Sequence, residues 1–180
     1  NTVITDGNTS SNIGIRISNS SFINVTRNIV RTNGNNTNYG ISSTVSSQNG
    51  TISNNSVQSG GTDNSNYGII VEGGSQYINI SANNIITNGS NRNYGIRTED
   101  GANRTVIFNN TIDTNGRLDS NFGIVLSQSF LTNVSGNIVN TNGSQDSDGI
   151  TLFTLSANNS IVNNSVFTDS VSMLGVGINV

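Results

Sequence analysis

Single β-branched aliphatic residues recur along this chain at a fixed interval. Val25, Ile52, Ile80, Ile107, Val134 and Ile161 form one series, and Val3, Val30, Val57, Ile85, Ile112, Val139 and Val166 form a second. Neighbours within each series stand 27 or 28 residues apart. Three residues after each member of the first series, and two before each member of the second, stands an asparagine: Asn28, Asn55, Asn83, Asn110, Asn137 and Asn164, with Asn1 in the same phase. A hydroxyl follows two residues after the second series, at Thr5, Thr32, Ser59, Thr87, Thr114, Thr141 and Thr168. Polar residues fill the remaining positions. A period this regular marks a repeat architecture.

A Gly-Ile step supplies a further marker, at Gly14, Gly40, Gly68, Gly95, Gly123, Gly149 and Gly177. Taken with its flanks, each unit predicts three short strands with period-two alternation. In the third unit these are Gly68–Val71, Tyr77–Ile80 and Asn84–Ile86, with a turn at Glu72–Ser75 and a corner at Ser81–Asn83. Asn-Gly pairs at Asn33, Asn88, Asn115 and Asn142 predict turns with positive φ. The loops after them vary in length: Asn35–Asn38, Thr62–Asn66, Ser90–Asn93, Arg117–Asn121 and Ser144–Ser147. Asn-Gly between apolar runs also signals hairpins. A meander of hairpins, however, does not need the same residue every 27. A coil of three parallel strands does, because residue n then lies about 4.8 Å below its counterpart one turn on. The chain is read as a parallel β-helix of about seven coils of about 27 residues, one solenoid domain over residues 1–180. No terminal unit is written to hide an open sheet edge. The expectation is a segment of a longer protein, or a subunit that stacks end to end on copies of itself.

Composition narrows the function classes. Only 32% of residues are hydrophobic and 9% charged, with a net charge of −3. Low charge and periodic Val and Ile argue against disorder. There is no Cys for disulfides or thiolate metal sites and no His for general base chemistry or metal ligation. All seven basic residues are Arg and form no patch for nucleic acid. No apolar run approaches the roughly 20 residues of a membrane helix.

The pattern Val-x-x-Asn-x-Val-x-Thr-Asn-Gly followed by Gly-Ile-x-Leu resembles the right-handed parallel β-helix repeats of pectate-lyase-like proteins and periplasmic copper-associated β-helix domains. It is most similar to their Asn-rich form in surface proteins of archaea and bacteria. The resemblance covers the whole chain and implies a right-handed coil. It spans polysaccharide lyases, hydrolases, phage tailspikes, adhesins and surface-layer proteins, so it does not select a function.

Four sets of residues carry candidate chemistry. The Asn column reads as a corner brace, each amide paired with turn backbone and with the Asn above and below. The aromatic column Tyr39, Tyr67, Tyr94 and Phe122 reads as a packing ladder in preference to a platform for sugar rings. The hydroxyl column is read as turn or ladder hydroxyls and not as an ice-binding face. Among the acids, which include Asp63, the best cluster is Glu72, Glu99 and Asp100 with Arg97. Lyases of this fold type use acidic Ca²⁺ ligands with a basic residue, so the resemblance makes these four the catalytic candidates and the place for a weak Ca²⁺ site. No other cofactor is expected.

Sequons are the most informative functional feature. Asn-x-Ser/Thr starts at Asn8, Asn19, Asn24, Asn35, Asn49, Asn54, Asn79, Asn88, Asn103, Asn109, Asn133, Asn142, Asn158 and Asn163. An N-glycosylating secretory route would decorate such a chain heavily. The expectation is a non-enzymatic, glycosylated, extracellular β-helical segment of a cell-surface protein, adhesin or fibre. Its partners would be copies of itself or the rest of its own chain, and carbohydrate. A carbohydrate-active lyase or hydrolase, and tailspike-like receptor binding, are the alternatives.

Overall fold

The computed structural model describes residues 1–8, 11–62, 64–170 and 175–180; Asp63 therefore lies outside the described residues. Among these the chain is all β, with 20 strands numbered in chain order. Every third strand falls in the same sheet. The first sheet holds β1 (Thr2–Gly7), β4 (Ile29–Gly34), β7 (Ser56–Gly61), β10 (Asn84–Gly89), β13 (Thr111–Gly116), β16 (Ile138–Gly143) and β19 (Ser165–Ser170). The second holds β2 (Asn12–Ser18), β5 (Asn38–Thr44), β8 (Asn66–Val71), β11 (Asn93–Thr98), β14 (Phe122–Leu126), β17 (Ile150–Leu152) and β20 (Ile178–Asn179). The third holds the short strands β3 (Asn24–Thr26), β6 (Thr51–Ser53), β9 (Asn79–Ser81), β12 (Val106–Phe108), β15 (Asn133–Ser135) and β18 (Ser160–Val162). All pairings are parallel and in register, as in Val30↔Val57 and Ile107↔Val134. The fold is the expected parallel β-solenoid with three strands per turn, six complete turns followed by β19 and β20.

The core forms because each strand sends alternate residues inward. One turn contributes Ile96, Ile107 and Ile112, one from each sheet, and all three are fully buried. The same positions in other turns are Val or Ile, which gives a continuous apolar column. The hydroxyl series also points inward. Thr87 and Thr114 are fully buried, and Thr32 Oγ1 donates to Ser59 Oγ at 3.1 Å. A buried column is no ice-binding face.

The Asn column is a hydrogen-bonded ladder. Asn83 Nδ2 donates to Asn110 Oδ1 at 2.9 Å, and Asn110 Nδ2 donates to Asn137 Oδ1 at 3.0 Å. The same link joins Asn1 to Asn28, Asn28 to Asn55, Asn55 to Asn83 and Asn137 to Asn164. Each inner Oδ1 also accepts the backbone N–H of the Asn one turn earlier, as Asn110 Oδ1 does from Asn83 N at 3.0 Å. The second Nδ2 hydrogen reaches back to a carbonyl, Ile80 O for Asn110 at 2.9 Å. The amide's donors and acceptor are thus all used inside the fold.

Three expectations need correction. The third strand of each unit is longer than predicted: β10 runs through Asn88-Gly89. The Asn-Gly pairs are therefore strand and not turn, and neither residue takes a positive φ. The glycine serves close approach instead of a bend. A Cβ at Gly34, of the Asn33-Gly34 pair, would stand 2.6 Å from Gly7 O and 2.8 Å from Asn38 Oδ1. The glycine of the Gly-Ile step meets a similar limit, since a Cβ at Gly95 would lie 2.7 Å from Gly123 O. Finally, the second unit strand is shorter and later, Asn79–Ser81.

The bends lie elsewhere, at left-handed residues recurring each turn. Arg27, Asn54, Ala82, Asn109, Gly136 and Asn163 have φ of 52–66° and immediately precede the ladder Asn. Phe22, Asn49, Tyr77, Arg104, Leu131 and Asn158 form another such column. Asn is enriched in this conformation, but side chains of several kinds hold it here.

Replacing Asn110 by Ala strands Asn83 N–H and Nδ2, Asn137 Oδ1 and Ile80 O at once. The expected loss is about 1–3 kcal/mol or more, read as a lower urea midpoint with unchanged m-value; a loss within error contradicts the ladder's structural role.

Candidate functional site

The outer face of the second sheet concentrates the aromatic and charged side chains. β5, β8 and β11 open with Asn-Tyr-Gly, β14 follows Asn121 with Phe-Gly, and β2 opens with Asn-Ile-Gly. The Asn points inward and the aromatic outward. These asparagines form a second ladder that the sequence reading did not identify. Asn12, Asn38, Asn66, Asn93 and Asn121 are joined by Nδ2···Oδ1 bonds of 2.9, 2.7, 3.0 and 2.7 Å. Its signal was present, an Asn directly before each aromatic, but its spacing wavers between 26 and 28.

The aromatic column stacks as expected. Ring centroids are 5.0 Å apart for Tyr39–Tyr67, 4.8 Å for Tyr67–Tyr94 and 5.4 Å for Tyr94–Phe122, with interplanar angles of 20° or less. Phe153 meets Phe122 edge-on at 5.6 Å. Tyr67, Tyr94 and Phe122 are each 6% exposed. Their faces are turned to each other, so they offer no face to a sugar ring. Ile70 and Val125, fully buried, pack with them as a small second apolar cluster.

Arg97 takes the position of Ile70 and Val125 in the intervening strand. Its guanidinium carbon lies 5.5 Å from the Tyr67 ring centre and 5.3 Å from that of Tyr94. Nη1 donates to Tyr67 Oη at 3.0 Å, and Nη2 pairs with Glu99 Oε2 at 2.5 Å. Nε is buried without a partner. Burial pushes the Tyr94 phenol up to about 12, and Tyr67 adds to it. Tyr39 is likewise pushed up to about 12, again by burial first and Tyr67 second.

The predicted quartet does come together electrostatically. The Glu99 carboxyl is raised by burial; Arg97 opposes this, while Asp100 and Glu72 add to it. The Glu72 carboxyl is raised by burial and then by Asp100, against Arg97 and Arg16. Of the four, however, only Arg97 lines the groove beside the aromatic column. This open groove of about 590 Å³ is lined by Tyr67, Tyr94, Phe122, Phe153, Arg92, Arg97, Asp146 and Asp148 among others. Glu72, Glu99 and Asp100 are not among its lining residues. Asp148, which replaces the aromatic of its column, is engaged internally. Its Oδ1 accepts from Val176 N at 2.8 Å, and its Oδ2 from Asn179 Nδ2 at 3.1 Å and Thr151 Oγ1 at 3.2 Å. Among the described residues no group of three or more acidic side chains is placed to hold a metal ion.

The sequons divide by environment. Asn8, Asn19, Asn24, Asn35, Asn49, Asn54, Asn79, Asn109, Asn133, Asn142, Asn158 and Asn163 are exposed, whereas Asn88 and Asn103 are half-buried. The hydroxyl residues around the Asn8 sequon, Thr9 and Ser10, lie outside the described residues. Asn88 and Asn142 sit with Asn115 and Arg117 in a second groove of about 540 Å³ at the end of the first sheet. Asn103 Oδ1 accepts from Phe130 N at 2.9 Å. Comparison with protein-family models, curated proteins and solved structures found no match.

The two raised carboxyls fix a pH dependence. The folded chain holds their protons more tightly than the unfolded chain. Stability therefore falls as pH rises from the ordinary carboxylate value of about 4.3 through the raised values, and the loss persists above them. Glu72→Gln should flatten this fall between mildly acidic and neutral pH, seen in urea midpoints; an unchanged slope contradicts the burial of Glu72.

Proposed function

We propose that this chain is a non-enzymatic, rigid segment of an extracellular surface protein, adhesin or fibre. The observation that carries this reading is the pair of buried Asn ladders. Side-chain amide bonds run through successive turns at two corners of the coil, from Asn1 to Asn164 and from Asn12 to Asn121. Such bonds add stiffness along the axis and contribute nothing to chemistry. The charged groups beside the groove support the same reading. Arg97 is committed to Tyr67 and Glu99, and Asp148 to three donors of its own chain. A glycosidase or lyase needs carboxylates free to act on substrate at a defined separation. Here Glu72, Glu99 and Asp100 are not among the lining residues of the groove that Arg97 enters, and of the two acids that do line it Asp148 is held by its own chain. The absence of Cys suits either a reducing or an oxidising compartment; the extracellular assignment rests on the polar, sequon-rich surface.

The carbohydrate-active alternative is tested by incubating the purified chain with neutral and acidic polysaccharides. No turnover is expected. Turnover abolished by Glu99→Gln or Arg97→Ala would overturn the non-enzymatic reading. The surface assignment is tested by brief protease treatment of intact source cells. Peptides ending in the exposed loops should appear before lysis; peptides that appear only after lysis contradict it.

A further inference from the structure

The coil has a second, longer period. The number of residues between the last Gly of successive first-sheet strands and the next Asn of the second ladder runs four, three, four, three, four, from Gly7–Asn12 to Gly116–Asn121. The corner between the third and first sheets alternates in step. In one turn the sequon begins at the first residue of the third-sheet strand, at Asn24, Asn79 and Asn133, with its hydroxyl at Thr26, Ser81 and Ser135. In the next turn it begins at the left-handed corner residue, at Asn54, Asn109 and Asn163, with its hydroxyl at Ser56, Thr111 and Ser165. The repeating unit is thus two turns, with one corner sequon in each turn and never two in register on adjacent turns.

The fold does not demand these residues. In the alternate turns the third-sheet position is Thr51, Val106 or Ser160. The corner position is Arg27, Ala82 or Gly136, all with the same left-handed φ. The hydroxyl position after that corner is Ile29, Asn84 or Ile138. Nor do the sequon side chains brace the structure. All six asparagines are exposed. Among the described residues, Asn24, Asn79, Asn109, Asn133 and Asn163 make no side-chain hydrogen bond, and Asn54 makes one, a long 3.4 Å contact to Ser53 Oγ. Other exposed positions differ among the three double turns, as at Phe22, Tyr77 and Leu131. Of the sequons, only these six occur in every double turn.

We propose that Asn24, Asn54, Asn79, Asn109, Asn133 and Asn163 are the N-glycan attachment sites, and that their stagger spaces the glycans. Strands lie about 4.8 Å apart, less than the breadth of a pyranose with its acetamide. Sequons in one column recur only every second turn, about 10 Å apart, and the two columns flank the same corner. In the transfer, the Asn Nδ2 attacks the anomeric carbon of an oligosaccharide carried on a lipid phosphate. The C–N bond forms as the anomeric C–O bond breaks, the lipid phosphate leaves with the electron pair, and the amide proton passes to solvent. The cell's transferase supplies that reaction; this chain supplies the acceptors. The inference rests on the extracellular reading above.

Glycopeptide mass spectrometry of the full chain purified from its source tests it. Glycan mass is expected on all six corner sequons, with half-buried Asn88 and Asn103 bare. Bare corner sequons on a chain that the intact-cell protease experiment finds at the surface overturn this inference alone. Equal occupancy at Asn88 and Asn103 overturns it as well. A second measurement uses Ala82→Asn with Asn84→Ser, which adds an in-register sequon between Asn54 and Asn109 at a corner that already accepts Asn geometry. Secreted from an N-glycosylating cell, this variant should lose at least half the occupancy at one or more of the neighbouring sites. Full occupancy throughout contradicts the spacing role of the stagger.

Discussion

The structure depends on one constraint: an amide buried at a corner can be satisfied only by an identical amide one turn away. A buried amide without partners is destabilising by several kcal/mol. Each inner Asn of the first ladder escapes that because its Oδ1 takes two donors from the turn before and its Nδ2 serves the turn after and a carbonyl behind. Register follows, because a slip by one residue would remove every amide from its counterpart. The interior Val and Ile of the three walls then stack on like residues, each fully buried side chain contributing about 1.5–3 kcal/mol. The recurring glycines of the two steps are consequences too. At Gly34, Gly61, Gly68 and Gly95, for example, a Cβ would meet an Asn amide or a carbonyl of a neighbouring turn.

That dependence explains what could be read from the sequence. A ladder of identical residues leaves a strict period, so the solenoid, its three strands per turn and the stacking of Asn28 through Asn164 were legible. The Asn88-Gly89 pair was not, because its local turn preference is overridden by parallel pairing to Asn115-Gly116. The second ladder hid behind its own neighbours: Tyr39, Tyr67 and Tyr94 draw notice as chemistry, while the Asn before each does the bracing. At the candidate site, numbering alone put Glu72 and Glu99 one turn apart. It held no sign that Arg97 reaches back 30 residues to the Tyr67 hydroxyl. Long-range side-chain partners of that kind depend on rotamers and not on period.

The same logic separates structural from available groups. Ladder asparagines, stacked rings, Arg97 and Asp148 are all engaged inside the molecule, which leaves little free chemistry at the aromatic groove. Among the described residues the exposed corner asparagines make no side-chain hydrogen bond beyond the long Asn54 contact, and they follow the two-turn period. The fold thus supplies a core braced by side-chain ladders, with exposed asparagines at its corners.

The central claim is that neighbouring amides are energetically coupled along the axis. A double-mutant cycle on Asn83 and Asn110 measures this most directly, with Asn28 and Asn137 as the distant pair. Alanine at Asn83 and Asn110 together should show a coupling energy of about 0.5–3 kcal/mol, while Asn28 and Asn137 add within about 0.5 kcal/mol. Simple additivity at Asn83 and Asn110 would contradict the account, because it would mean that each amide is held by its own turn and not by the next.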